Sequence, residues 1–154
     1  MSLLPWLLFL HLLGAIIAFG PGFALSFFGY AAGKEPQHAN FTLRTSAVVA
    51  QRLIVPLAVL QGVTGVGLIL IEGTELLTKL WLLVAIVLYA IALYVAIGLN
   101  LPNLRRLIEL SSAPPAGGGP PPELIVRAGR ARQYGVAMSG LVVVIVFLMV
   151  VKPF

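Results

Sequence analysis

Four apolar stretches, each long enough to cross a bilayer, leave this chain few folds to choose from. They cover 3–30, 45–71, 80–104 and 133–151 of the 154 residues. About 20 apolar residues in helical form span a hydrocarbon core of about 30 Å. Within that core every backbone N–H and C=O needs a partner inside the protein, so spanning segments of this length are helices. The turn at Glu72–Thr78 is short and makes spans two and three antiparallel neighbours. The expected fold is all-α: a polytopic membrane protein, a four-transmembrane antiparallel helical bundle, with residues 1–154 as a single integral membrane domain. Composition agrees, with 60% hydrophobic and 10% charged residues and a mean hydropathy of +1.04, far from a soluble domain.

The net charge of +5 reads as topology. Lys34, Arg44 and Arg52 surround the first connection. Arg105, Arg106, Arg127, Arg130 and Arg132 surround the third, whereas the opposite face has Lys79 and Lys152. Basic residues collect on cytoplasmic loops. The expected location is the cell inner (plasma) membrane, with both termini outside and the basic loops cytoplasmic. The basic loops should meet anionic lipid. No stacking aromatics accompany the arginines, which excludes nucleic acid as a partner. The absence of cysteine rules out disulfides and thiolate sites. Met1 to Gly33 has no basic n-region and is too long for an h-region, so an uncleaved first span is expected.

Breakers mark the connections. Gly20-Pro21-Gly22 should interrupt and kink span one. Ala31 to Arg44 reads as a polar connection with Gly33 and Pro36 as breakers. Residues 111–122, SSAPPAGGGPPP over Ser111–Pro122, read as a mobile Pro/Gly linker, and Glu123 to Arg132 as a short interfacial helix before span four. There is no convincing internal repeat.

Helical spacing sorts the faces. Gly14, Ala15, Ala18 and Gly22 share a stripe with His11 in span one. In span two Ala58, Gln61, Gly62 and Gly65 share one, with Thr64 at its edge. Span three has Ala85, Tyr89, Ala92 and Ala96. Span four has Gly135, Met138, Ser139, Val142, Val146 and Met149. Small residues allow membrane helices to approach closely, so these faces should turn inward. His11 lies about 12 Å below the outer end of span one and Gln61 about 15 Å below that of span two. At similar depth, they are within reach of a hydrogen bond.

His11 is the one imidazole of the first span, and a polar ring in hydrocarbon needs a partner, a water cavity or a ligand. Three roles are open. It is a structural donor to Gln61, Thr64 or a carbonyl; an axial ligand of haem iron; or a proton carrier or substrate contact. His38 lies on the opposite membrane face and cannot share an iron with His11. Met149, Lys79, a second copy of the chain or an empty position would complete the coordination. Met149 is otherwise an apolar packing residue. Lys79 lies about 120° around the helix from the alanine stripe and can snorkel to the interface. Arg52 either snorkels to phosphates or meets an anionic group such as a haem propionate or a lipid headgroup. No Ser-His-Asp set, phosphate loop, HExxH or paired intramembrane carboxylates occur, which disfavours hydrolysis and nucleotide-driven work. Copper would need more His, Met or Cys.

HLLGAIIAFG at His11, Arg52 opening span two, TGVGLIL ending it and KLWLLVAIVLY at Lys79 resemble a group of small four-helix bacterial membrane proteins. The group includes the copper-resistance D family, a family of predicted integral membrane proteins of unknown function, and the haem-binding, oxygen-independent type of protoporphyrinogen oxidase. The likeness covers spans one to three and is nearest to the unknown-function family. Resemblance to the oxidase branch implies His11 as a haem b ligand and Lys79 as a functional partner, and resemblance to the copper branch implies metal-related transport. The expectation is a small integral membrane protein of unassigned role, not an enzyme or, if one, a membrane haem-linked oxidoreductase, that binds haem b in redox or electron-transfer work through His11, with Lys79, Gln61, Arg52 and Met149 as candidate cofactor-site residues. The competing classes are an accessory subunit of a larger membrane complex and a small-solute or metal permease. The expected partners are the lipid bilayer and either a homodimer or a larger complex.

Overall fold

The computed structural model describes residues 2–112 and 119–153. They form four long helices: α1 (Leu4–Lys34), α2 (Pro36–Glu72), α3 (Leu80–Ser112) and α4 (Pro122–Val151). Each is long and apolar enough to cross a membrane, and no strand occurs among the described residues. The four-helix all-α architecture is the one the apolar stretches require.

The helices outrun those stretches. The predicted polar connection between spans one and two shrinks to Glu35, because α1 continues to Lys34 and α2 opens at Pro36. Apolar periodicity cannot detect this, since a helix can extend into water with polar side chains. Pro36 acts as a first-turn residue, where its missing N–H costs nothing. The separate interfacial helix is likewise corrected: Glu123 to Arg132 is the first part of an unbroken α4. Ser111 and Ser112 close α3 and Pro122 opens α4; of the predicted mobile linker, residues 113–118 lie outside the described residues. Gly20-Pro21-Gly22 does not interrupt α1, which stays helical through Pro21.

Two other prolines act differently. A π-helical segment at Ala50–Ile54 precedes Pro56, and one at Tyr94–Asn100 precedes Pro102. Proline cannot donate to the carbonyl four residues back. A wider turn just before it re-registers the backbone bonding without ending the helix. At the end away from the basic residues Gly73 ends α2 at φ +114°, a region that favours glycine, with its N–H on the Ile69 carbonyl at 2.9 Å.

α1 packs against α2 and α4, and α3 against α4; α2 and α3 pack closely only over their basic ends. The interior is built of small side chains, with Ala18 and Ala85 fully buried and Ala47, Ala50 and Ala58 nearly so. Trp81, Leu82, Ala85 and Leu148 form a cluster at the end opposite the basic residues. Large apolar side chains such as Ile16, Phe27 and Val150 point outward, as lipid-facing surfaces do. The basic ends are tied by polar contacts. Asn40 donates to Ser111, Ser112 and the Ile108 carbonyl. Buried Asn103 donates to the Arg127 carbonyl at 3.0 Å, and Glu123 accepts from Arg106 and Arg127.

Candidate functional site: an intramembrane imidazole between two helices

His11 sits on the α1 stripe that also carries buried Gly14 and Ala18. It faces buried Gln61 and Thr64 of α2. The Gln61 Nε2 donates to His11 Nε2 at 3.0 Å, and His11 Nδ1 lies 2.9 Å from the Thr64 hydroxyl. The Thr64 hydroxyl is within 3.1 Å of the Leu60 carbonyl and 3.0 Å of the Gln61 carbonyl, where it donates. That direction sets the rest. Thr64 Oγ1 accepts from His11 Nδ1–H, so the proton is on Nδ1 and Nε2 presents a lone pair. The ring is neutral in this arrangement, with both nitrogens engaged by α2.

Two glycines permit the approach. A Cβ on Gly14 would stand 2.9 Å from Gln61 Oε1, and one on Gly65 would stand 3.3 Å from His11 Cε1. Gln61 Oε1 is buried without a conventional hydrogen-bond donor. It lies instead on the side of Gly14 where a Cβ would project. The amide is therefore fixed on its nitrogen side and loosely held on its oxygen side.

Of the sequence candidates, the structure brings together His11, Gln61 and Thr64, and sets the others elsewhere. Met149 packs against the Trp81–Leu82–Ala85–Leu148 cluster. Lys79 precedes α3 with its side chain exposed. Arg52 is exposed in the π-helical segment of α2. His38 is exposed at the basic end. On span four Gly135, Met138, Ser139, Val142 and Met149 are partly covered, but Val146 is 48% exposed. No group of three or more His, Cys, Asp or Glu capable of holding a metal occurs among the described residues.

Sequence reasoning missed the role of Tyr89, whose hydroxyl donates to the Ala58 carbonyl. The available signal was a phenol in mid-membrane, which needs a polar partner. It also missed the Arg106–Glu123–Arg127 cluster, because 17 residues separate Arg106 from Glu123. That cluster lies on the polar extensions beyond the apolar stretches. Hydrogen bonds from Arg106 and then Arg127 hold the Glu123 carboxyl down at about 2.

The chain matches no curated protein and no solved structure. A family model described as a predicted integral membrane protein, DUF2269, matches residues 5–153. That match carries the membrane-family part of the likeness drawn from the sequence, and neither its copper-resistance nor its oxidase branch. With nearly the whole chain matched, this four-helix protein belongs to the DUF2269 family of predicted integral membrane proteins.

Proposed function

We propose that this integral membrane protein binds haem b through His11, in redox or electron-transfer work without an enzymatic site of its own. The observation that supports the reading is the hydrogen bond from Nδ1–H to Thr64. It orients the ring and leaves Nε2 as the basic nitrogen, as the second shell of a metal-ligating histidine does. Gln61 now occupies that lone pair, yet its oxygen side has no donor, so turning the amide away breaks one hydrogen bond only. The donor set offers one nitrogen to a haem and no more. His11 would hold the iron through Nε2, with Thr64 and Gln61 positioning the ring, and any further ligand would come from His11 of a second copy or from none. Bound haem would supply one-electron chemistry. Lys79, Met149 and Arg52 are given no part in this reading, since no hydrogen bond joins them to the ring.

The experiment is an absorption spectrum of detergent-purified protein from haem-replete cells. A Soret band is expected, absent in His11→Ala and weakened in Thr64→Val, whereas Gln61→Leu keeps or raises occupancy. A colourless protein from such cells overturns the reading. The second reading, an accessory subunit, is favoured by the full engagement of both ring nitrogens. It expects a colourless protein that keeps its fold in His11→Leu and co-purifies with a stoichiometric membrane partner.

A further inference from the structure

Where α2 and α3 part, an apolar cleft of about 390 Å³ opens sideways. Val59, Gly62, Val63 and Val66 line it from α2, and Tyr89 and Leu93 from α3. Gly62 keeps it open beside the phenol, since a Cβ there would stand 2.8 Å from the Tyr89 hydroxyl. That hydroxyl is already committed to the Ala58 carbonyl, so the wall offers no spare donor. The cleft lies at the depth of the hydrocarbon, within 45–71.

Arg52 heads the same surface. Arg52, Pro56, Val59, Val63, Val66 and Leu70 follow one another at spacings of four, three, four, three and four residues. All six are exposed. Such spacing forms one continuous helical stripe. Arg52 lies two turns, about 10 Å, from Val59 toward the basic end, and no ion pair engages it among the described residues. A cation at the interface with an apolar furrow beginning two turns deeper matches a phospholipid's phosphate and acyl chain.

We propose that this stripe and cleft form a binding site for an anionic phospholipid, with the Arg52 guanidinium on the phosphate and one acyl chain between α2 and α3. The local charge selects the headgroup. Lys34, Arg44, Arg105, Arg130 and Arg132 lie at the same end; of the three acids there Glu109 and Glu123 are already paired with Arg106 and Arg127, and Glu35 alone leaves the end strongly positive. A choline or ethanolamine head would bring another cation into this field, whereas glycerol or a second phosphate would not. A second copy of the chain in place of the lipid is an outcome that the cross-linking arm of the test separates. The site is independent of His11, which reaches from α1 to Gln61 and Thr64 on the other side of α2.

The test places a reporter at the rim of the cleft, as Val63→Trp in nanodiscs of phosphatidylcholine. A minor fraction of either phosphatidylglycerol or phosphatidylcholine carries brominated acyl chains. The added tryptophan should be quenched several-fold more by brominated phosphatidylglycerol. Arg52→Gln should abolish the difference and Arg52→Lys retain most of it. Equal quenching by both lipids means ordinary bilayer at this surface and overturns the proposal. So does absence of quenching by either, with cross-linking between copies. A second measurement needs no reporter: the phosphatidylglycerol-to-phosphatidylcholine ratio retained by the purified chain after mild delipidation should fall several-fold in Arg52→Gln, and an unchanged ratio counts against the site.

Discussion

At the scale of single residues, the spacing of the α1–α2 contact is set by what two glycines lack. A methyl on Gly14 would meet Gln61 Oε1 at 2.9 Å, against 3.3 Å between a methyl on Gly65 and the edge of the His11 ring. Gly14→Ala should therefore lower the thermal stability of the detergent-solubilised protein more than Gly65→Ala does. Overpacking of this kind costs about 1–3 kcal/mol; equal melting shifts for the two variants would contradict the arrangement. His11→Leu removes two interhelical hydrogen bonds that average about 0.6 kcal/mol each in membranes, so a shift of roughly 1 kcal/mol is expected, not collapse. The meeting of His11 with Gln61 was legible from depth and face alone. The tautomer was not, because it follows from the direction in which Thr64 donates, and residue spacing does not encode that.

Among the elements, apolar length located all four spans but misplaced their ends. The stretch from Ala31 to Arg44 reads as a connection, yet its residues continue two helices into water and leave Glu35 as the joint. Glu123–Arg132 reads as a separate piece because its arginines interrupt the hydropathy, although the backbone does not break there. The electrostatics of these extensions can be titrated. Glu123 is held at about 2 by hydrogen bonds from Arg106 and Arg127, below the ordinary carboxylate range of about 4.3. Its folded value is depressed, so its contribution is complete above that ordinary range and is lost as pH falls toward about 2. The group is solvent-exposed, and salt weakens the cluster. Glu123→Gln should speed amide hydrogen exchange in the first turns of α4 at neutral pH. The wild-type chain should approach the same protection, measured against the intrinsic exchange rate at each pH, only in acid, and unchanged protection in the variant would dismiss the cluster as a tie between α3 and α4.

For the whole molecule, charge decides orientation. Eight of the ten lysines and arginines lie at the end that holds Glu35, which predicts that this end faces the cytoplasm. The chain has no cysteine, so single cysteines report cleanly. Glu75→Cys should react with a membrane-impermeant maleimide in intact cells, and Gln37→Cys only after permeabilisation; the reverse pattern would invert the topology. Alanine and glycine inside, with large apolar residues outside, was readable as stripes of small residues. The parting of α2 and α3 was not readable, because it arises from how two faces fail to meet, a property of neither helix by itself.

The joint at Glu35 acts as a ruler. His11 lies 24 residues before it and Gln61 lies 26 after it, giving arms of about 36 and 39 Å along the helix axes. With so little slack at the hairpin tip, neither arm can slide past the other by a full turn of about 5.4 Å without unwinding at the bend. The imidazole and the amide are thus brought level by the length of the chain itself, before α3 or α4 has to be in place.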